Sequence, residues 1–302
     1  MCLIALAIDQ SRRFPLVVAA NRDEFFARPA TRLGWWEHDA GGPAILAGRD
    51  LTAGGTWLGL TAEGRLAMVT NVRDPARMDP TAPSRGVIVP QWLSGREPTD
   101  RFWMRTALSG YNGFNLIAAD FKRGECFWAS NLGAHPKRLE RGVYGVSNAS
   151  LDTAWPKTVA LKARLRQAIS VAASVDALSS ALFAALADRQ IAADADLPST
   201  GVPLELERQL SSVFIRATER QYGTRCSTLV ISERVGRGLV TRVMERSYTA
   251  TGAVSLLRQA TLKGWPPRYD DATDPAPVEQ AVVSTAPRRR VRSLLKPAQA
   301  QR

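Results

Sequence analysis

The sequence predicts an α+β protein. Short apolar runs broken by turn residues dominate the first 148 residues. Ala-, Leu- and Arg-rich stretches with helical periodicity gather between Trp155 and Ile215, and strand-like runs return at Cys226. Strands in runs with helices grouped between them make packed layers, not the alternating series of a parallel sheet.

The first strand is Cys2 to Ile8, an apolar run of strand length bounded by Asp9 and Gln10. Phe14 to Ala20 is the second, ending at Asn21-Arg22-Asp23-Glu24, and the turn from Asp9 to Arg13 joins the two as a hairpin. Pro43 to Ala47 reads as a short strand. Gly55–Thr61 and Arg65–Asn71 flank Ala62-Glu63-Gly64, a strong hairpin signal. Pro75 to Pro83 is a Pro-rich loop. Ser84–Leu93 and Asp100–Leu108 read as helices, with Thr99 capping the second and Pro90 kinking the first. Asn115–Phe121 and Cys126–Ser130 are strands joined at Lys122-Arg123-Gly124, and Tyr144–Ser147 is another. Trp155–Ile169, Val175–Ala187 and Leu204–Ile215 carry helical periodicity. Cys226–Ser232 and Leu239–Tyr248 close the pattern as strands joined by Glu233–Gly238. From Pro266 onward Pro, Asp, Ala and Arg dominate, and residues from roughly 270 to 302 read as a disordered tail. The expected organisation is one domain, 1–265, and a tail, 266–302.

Composition narrows the function. The chain has 302 residues, 45% hydrophobic and 23% charged, enough to bury a large core. No run approaches the ~18–20 apolar residues that span a bilayer. Three cysteines are too few for a disulfide scaffold. Two histidines leave no His-rich metal site and little room for a Ser-His-Asp hydrolase. The net charge is +12, yet only six of the 40 basic residues are Lys, and the one dense basic stretch is Arg288-Arg289-Arg290-Val291-Arg292 in the tail. A nucleic-acid partner calls for a basic stripe interleaved with aromatics on a folded surface. None is expected, and the tail is left at most a weak contact with an anionic surface. The N-terminal run lacks the positive flank and cleavage site of a secretory signal. With free cysteines this points to the cytoplasm.

Cys2 stands one residue from the chain start. Aminopeptidases remove Met1 before a small residue, which would place the thiol and a free α-amine on the same residue. An α-amine has a pKa near ~8 and serves as a base at neutral pH. A nucleophile needs an adjacent base, and this one requires no histidine. The alternative is a small apolar residue at a strand end.

Polar clusters border the apolar runs at Asn21-Arg22-Asp23-Glu24, Thr70-Asn71-Val72-Arg73, Ser147-Asn148 and Arg216–Arg225. Cys2 together with Asn21-Arg22-Asp23-Glu24, Gly54-Gly55-Thr56-Trp57-Leu58-Gly59, Val69-Thr70-Asn71, Tyr144-Gly145-Val146-Ser147-Asn148 and Tyr222-Gly223-Thr224-Arg225 resembles the NRDE family of transport and Golgi organisation 2-like proteins. The resemblance covers roughly residues 1–250. That family is in turn similar to the N-terminal nucleophile hydrolases of the choloylglycine hydrolase and penicillin V acylase group. The resemblance implies a four-layer αββα sandwich of two antiparallel sheets. It implies Cys2 as nucleophile, with Arg22 and Asp23 beside it. Asn71 is similar to the group's oxyanion-hole Asn, Asn148 to a second substrate-side Asn, and Arg216 or Arg225 to its late Arg. The group separates its Arg and Asp by two residues, whereas Arg22 and Asp23 are adjacent. Adjacent strand residues point to opposite faces, so both reach Cys2 only if the strand bends. The alternatives are an Arg22–Asp23 ion pair, a turn-capping Asn71 and a turn or cap at Asn148.

Two functions follow from the resemblance. One is a thiol hydrolase of a linear amide or acyl substrate. The other is a non-catalytic carrier of haem or an acyl-CoA-like lipid. No cofactor is required, and haem enters only as a carried ligand, with His38 or His135 as conceivable iron ligands. Cys126 and Cys226 read as inert core thiols. Trp35 and Trp36 are placed to line an apolar pocket or to close the core.

Overall fold

The computed structural model describes residues 2–267 and 281–285. Its elements in chain order are β1 (Cys2–Ile8), β2 (Leu16–Phe25), β3 (Gly34–Trp36), β4 (Ile45–Ala47), β5 (Leu58–Thr61), β6 (Arg65–Asn71), α1 (Ile88–Ser94), α2 (Thr99–Ala107), β7 (Phe114–Asp120), β8 (Glu125–Ser130), β9 (Ala134–Arg138), β10 (Gly142–Val146), α3 (Pro156–Val171), α4 (Val175–Leu186), α5 (Leu204–Gln209), β11 (Arg216–Ala217), β12 (Tyr222–Val235), β13 (Gly238–Tyr248), β14 (Val254–Lys263) and β15 (Ala281–Thr285). One sheet runs β10-β1-β2-β12-β13-β14-β15, with β11 on β12; the other runs β3 to β9 in chain order. Every pairing is antiparallel.

The layers follow from strand alternation. Leu3, Ala5 and Ala7 of β1 pack with Leu161 and Leu165 of α3 and Leu178 and Leu182 of α4. Ile4 and Leu6 point the other way, into an inter-sheet core with Leu46, Leu60, Leu66 and Met68. The second sheet turns Ala67, Val69 and Leu116 outward onto Ile88, Val89 and Trp92 of α1. The order is therefore helices, sheet, sheet, helices, the four-layer αββα arrangement. Because β1 is buried on both faces, its sequence is a continuous apolar run instead of an alternation. Each fully buried Leu or Ile there contributes roughly 1.5–3 kcal/mol.

Several expectations shift in detail. Thr99 is the first residue of α2 and not its cap, which is Pro98. Pro90 is the third residue of α1, where its missing N–H breaks no intrahelical bond. The helix expected over Leu204–Ile215 stops at Gln209. There Ser211 and Ser212 turn their hydroxyls onto the Arg208 and Phe214 carbonyls, and such local bonds compete with helix. The segment expected to be a disordered tail contributes β15 at the sheet edge. The rest of that tail, including Arg288–Arg292, lies outside the described residues. Trp265 is fully buried, and its Nε1 donates to the Thr61 carbonyl at 2.9 Å, tying the end of β14 to the second sheet. No helix among the described residues is long and apolar enough to cross a membrane.

Candidate active site

Cys2 opens β1 and is the cross-strand partner of Arg22 on β2. Both continue the even-numbered face that looks between the sheets. Here the sandwich opens into a cleft of about 340 Å³. Its walls include Cys2, Arg22, Glu24, Trp57, Asn71 and Arg85.

Arg22 does not pair with its neighbour Asp23. Its Nη2 donates to Asp50 Oδ2 at 2.9 Å, and its guanidinium lies 4.6 Å from the Trp57 ring centroid. Arg28 Nε donates to the same Asp50 oxygen at 2.6 Å. The other oxygen, Oδ1, accepts the Thr52 and Ala53 N–H groups at 3.0 Å each. Burial works against ionising Asp50, but the Arg28 and Ala53 hydrogen bonds outweigh it and hold the carboxyl below its ordinary value. The Gly54-Gly55 motif shapes this loop. Gly54 has φ +71, and a Cβ on Gly55 would lie 2.2 Å from the Gly86 carbonyl oxygen. Glu24 lies 3.6 Å from Arg22 and 3.9 Å from Arg28, completing the charge group.

Asp23 takes the opposite face of β2, toward the helices. Opposite it β12 carries a bulge: Thr224 pairs with Asp23 and Cys226 with Arg22, leaving Arg225 as the extra residue. Thr224 Oγ1 donates to Asp23 Oδ1 at 2.7 Å. Burial raises the Asp23 pKa, and the charge of Lys157 pulls it back down. Lys157 is 3% exposed, with no hydrogen-bond acceptor for Nζ among the described residues. Burial, then the neighbouring charge of Arg73, bring its pKa down to about 8, against the pull of Asp23 and Cys2. Arg73 in turn is ion-paired with buried Glu207 of α5.

The two asparagines divide their labour. Asn148 is 1% exposed and donates Nδ2 to the Asn71 carbonyl at 2.9 Å. Beside it the Ser147 hydroxyl reaches the Cys2 carbonyl at 3.1 Å, and the Thr70 hydroxyl donates to the Ser147 carbonyl. These bonds lock the ends of β1, β6 and β10 together. The Asn71 side chain, by contrast, makes no hydrogen bond among the described residues and lines the cleft. Asn148 therefore positions Asn71 and does not itself line the cleft. Asn21 is structural too: its Nδ2 donates to the Leu186 and Val213 carbonyls at 2.9 Å each, fastening the helical layer to β2.

A sequence profile of one family, Transport and Golgi organisation 2, matches residues 1–250. The chain belongs to that family. It is 33% identical over 256 residues to the Transport and Golgi organization protein 2 homolog of Bos taurus, covering 78% of this chain and 90% of that protein. The Homo sapiens homolog is 30% identical with the same coverage. The Drosophila melanogaster protein is 26% identical over 255 residues, covering 76% and 87%. Among solved structures, a Caenorhabditis elegans N-acylethanolamine-hydrolyzing acid amidase ortholog aligns at TM-score 0.44 and 9% identity, over 76% of this chain and 92% of that one. A mutant conjugated bile acid hydrolase from Clostridium perfringens aligns at TM-score 0.35 and 10% identity, over 80% and 92%.

Other residues of this Transport and Golgi organisation 2 family member stand away from the cleft. Arg225 Nη1 donates to the Phe25, Phe26 and Arg28 carbonyls, which pins the turn carrying Arg28. Arg216 is exposed. Trp35 packs against the inter-sheet core and Trp36 against the outer core; neither lines the cleft. His38 is half-buried and His135 exposed, neither lines the cleft, and no metal-binding group of side chains occurs among the described residues. Cys226 is buried, and burial raises its thiol pKa well above the ordinary value. Cys126 is pushed up to about 12 by the same cause.

Asp50, Lys157 and Arg85 escaped the sequence reading, and Arg73 entered it only as the end of the Thr70–Arg73 cluster. One signal for Lys157 was available. It is the second residue of α3, where a cation opposes the helix dipole, so a lysine there without solvent needs another reason.

Proposed function

We propose that the chain is an N-terminal cysteine hydrolase of a linear amide or acyl substrate, with Cys2 exposed as the first residue after Met1 removal. The observation that carries this reading is the juxtaposition in one cleft of the Cys2 thiol, its cross-strand partner Arg22 and the uncommitted Asn71 amide. Burial raises the Cys2 pKa, offset in part by the charge of the chain's terminal amine and less by Arg22, while Asp23 adds to the rise, so the resting group is the thiol. Its proton must leave during attack. The α-amine on the same residue is the base of suitable pKa, and it hands the proton to the leaving amine. Asp23 leans toward the helices but also borders the cleft at the end of β2, beside Cys2, where it accepts from that amine and orients it. Asn71 donates to the oxyanion as the acyl carbon becomes tetrahedral. Water then attacks the thioester, returning Cys2. The three free thiols fit a reducing compartment, and the cytoplasm is the proposed location.

The test compares three proteins on a panel of linear N-acyl amides. They are the Met1-processed chain, Cys2→Ala, and a form whose N-terminal extension cannot be removed, so that it keeps the thiol but has no α-amine on residue 2. Intact mass confirms each terminus. Amine release by the first alone supports the mechanism. Turnover retained by Cys2→Ala would refute it. Haem or an acyl-CoA bound by the processed chain and recovered unchanged, with no amide cleaved, would favour the carrier instead.

A further inference from the structure

The cleft holds one cation that the mechanism leaves idle. Arg85 begins the short turn Arg85–Val87 ahead of α1, and its Nη1 donates to the Gly113 carbonyl at 3.1 Å. Among the described residues it forms no ion pair, and its Nε and Nη2 find no acceptor. Its position is fixed from below. The Thr56 N–H donates to the Gly86 carbonyl at 2.9 Å, and Gly55 packs against that same carbonyl. Arg85 borders the Cys2 cleft and also an adjoining hollow of about 220 Å³ lined by Val72, Tyr111 and Leu132.

The carboxylates nearby are committed elsewhere. Asp50 holds Arg22 and Arg28, and Glu24 lies against the same pair. Asp23 accepts from Thr224. Asp79 accepts the Thr81 N–H and hydroxyl at 2.8 and 2.7 Å. A half-buried guanidinium facing a cavity where Glu24, already lying against Arg22 and Arg28, is the carboxylate acting on it is under-compensated unless something anionic arrives. Its planar fork matches a carboxylate or a phosphate. The remaining wall, with Trp57, Val69, Met78, Ala82 and Pro83, suits a hydrocarbon chain.

We infer that Arg85 binds an anionic group of the substrate, so that the cleft takes an amphiphilic acyl or amide compound bearing a carboxylate or phosphate near the scissile bond. This rests on the reading of Cys2 as the nucleophile of the cleft.

The experiment separates the two. Cys2 is alkylated with iodoacetate and with iodoacetamide, near-isosteric reagents that differ in charge, and the modified peptide is quantified by mass. In both reactions the sulfur–carbon bond forms as iodide leaves, and the thiol proton passes to buffer. The ratio of the two rates cancels the thiolate fraction and reports the local preference for an anion. Arg85→Gln is expected to lower that ratio about three- to tenfold, and Arg85→Lys to keep most of it. A ratio unchanged in Arg85→Gln overturns the inference. If Cys2 reacts with neither reagent, the nucleophile reading fails, and a second arm still decides on Arg85. Octanoate, octyl phosphate and octanol are titrated calorimetrically into wild type and Arg85→Gln. Tighter binding of octanoate alone identifies a carboxylate site, and of both anions a general one, provided that the preference disappears in Arg85→Gln. Equal binding of octanol, or anion binding that survives Arg85→Gln, overturns it.

Discussion

Arg22 and Asp50 meet at 2.9 Å across the wall of the cleft, although 28 residues separate them and a carboxylate stands next to Arg22 in the chain. Asp50 holds Arg28 as well, so a single carboxylate fixes two cations. Asp50→Asn removes the charge while keeping the shape, and leaves the buried Arg22 with only the more distant Glu24, at 3.6 Å, to compensate it. It is expected to destabilise the fold by about 2–4 kcal/mol in urea unfolding. Adding Arg22→Met should recover part of that loss, because the orphaned charge goes with it. A stability within about 0.5 kcal/mol of wild type in Asp50→Asn would show that the pair carries no structural weight.

Asn71 and Asn148 should fail in opposite ways. The Asn71 side chain bonds to nothing among the described residues, so Asn71→Ala is expected to leave the urea midpoint near wild type. As an oxyanion donor its loss should lower kcat about 10²–10³-fold on any amide the protein cleaves. Asn148 is buried and donates to the Asn71 carbonyl. Asn148→Ala leaves that carbonyl without its partner and should cost about 1–3 kcal/mol of stability. Catalysis would then suffer only through the displacement of β6. If Asn148→Ala were stable and Asn71→Ala unfolded, the roles argued from the hydrogen bonds would be reversed.

The layers were legible because they rest on pattern. β6 was read to its last residue, since Asn71 ends an apolar run and a turn fixes its start. β14 was not, because Val254-Ser255-Leu256-Leu257-Arg258-Gln259 alternates poorly and is only half-buried. In the site, Cys2 was visible from its place at the start of the first strand, one residue from the chain start, and Arg22 and Asn71 as polar residues ending apolar runs. The question left by the adjacent Arg22 and Asp23 is answered by the strand pairings. β2 keeps its ordinary alternation, with Cys2 opposite Arg22, so it offers Arg22 to the cleft and Asp23 to the helices, and the irregularity falls on β12 as the bulge at Arg225. No local pattern announces a partner's bulge. Asp50 and Lys157 were invisible for a related reason: their roles depend on which loop and which helix end arrive beside Arg22 and Asp23, and that is decided by tertiary packing.

Neighbouring glycines offer a sharper test of the loop beneath Arg85. Gly54 has φ +71 but open space where a Cβ would stand, so Gly54→Ala should cost only the left-handed strain, about 1 kcal/mol. Gly55→Ala drives a methyl to 2.2 Å from the Gly86 carbonyl oxygen, and backbone must move. It should cost more, about 2–3 kcal/mol, and loosen the turn that holds Arg85. Unfolding midpoints and proteolysis after Arg85 check both. Equal effects of the two substitutions would mean that the Gly55–Gly86 contact does not constrain the loop.

Lys157 gives a pH signature that its neighbours do not. Its native pKa lies near 8, well below the ordinary lysine value of 10.5 that applies in the unfolded chain. Below pH 8 both states are protonated, and the full cost of burying the charge is felt. Between about 8 and 10.5 the native side chain is neutral while the unfolded one still binds its proton. The unfolded state then carries more protons, so stability from this group rises with pH across that window. In Lys157→Met the group is gone, and the titrations of the other residues largely cancel in the comparison. The stability of wild type minus that of Lys157→Met should therefore shift toward wild type by on the order of 3 kcal/mol between pH 7.5 and 10.5. Urea midpoints at half-unit steps measure it. A flat difference would mean that Lys157 keeps an ordinary pKa. Lys157 would then stay charged across the window and keep favouring the ionised form of Asp23 throughout.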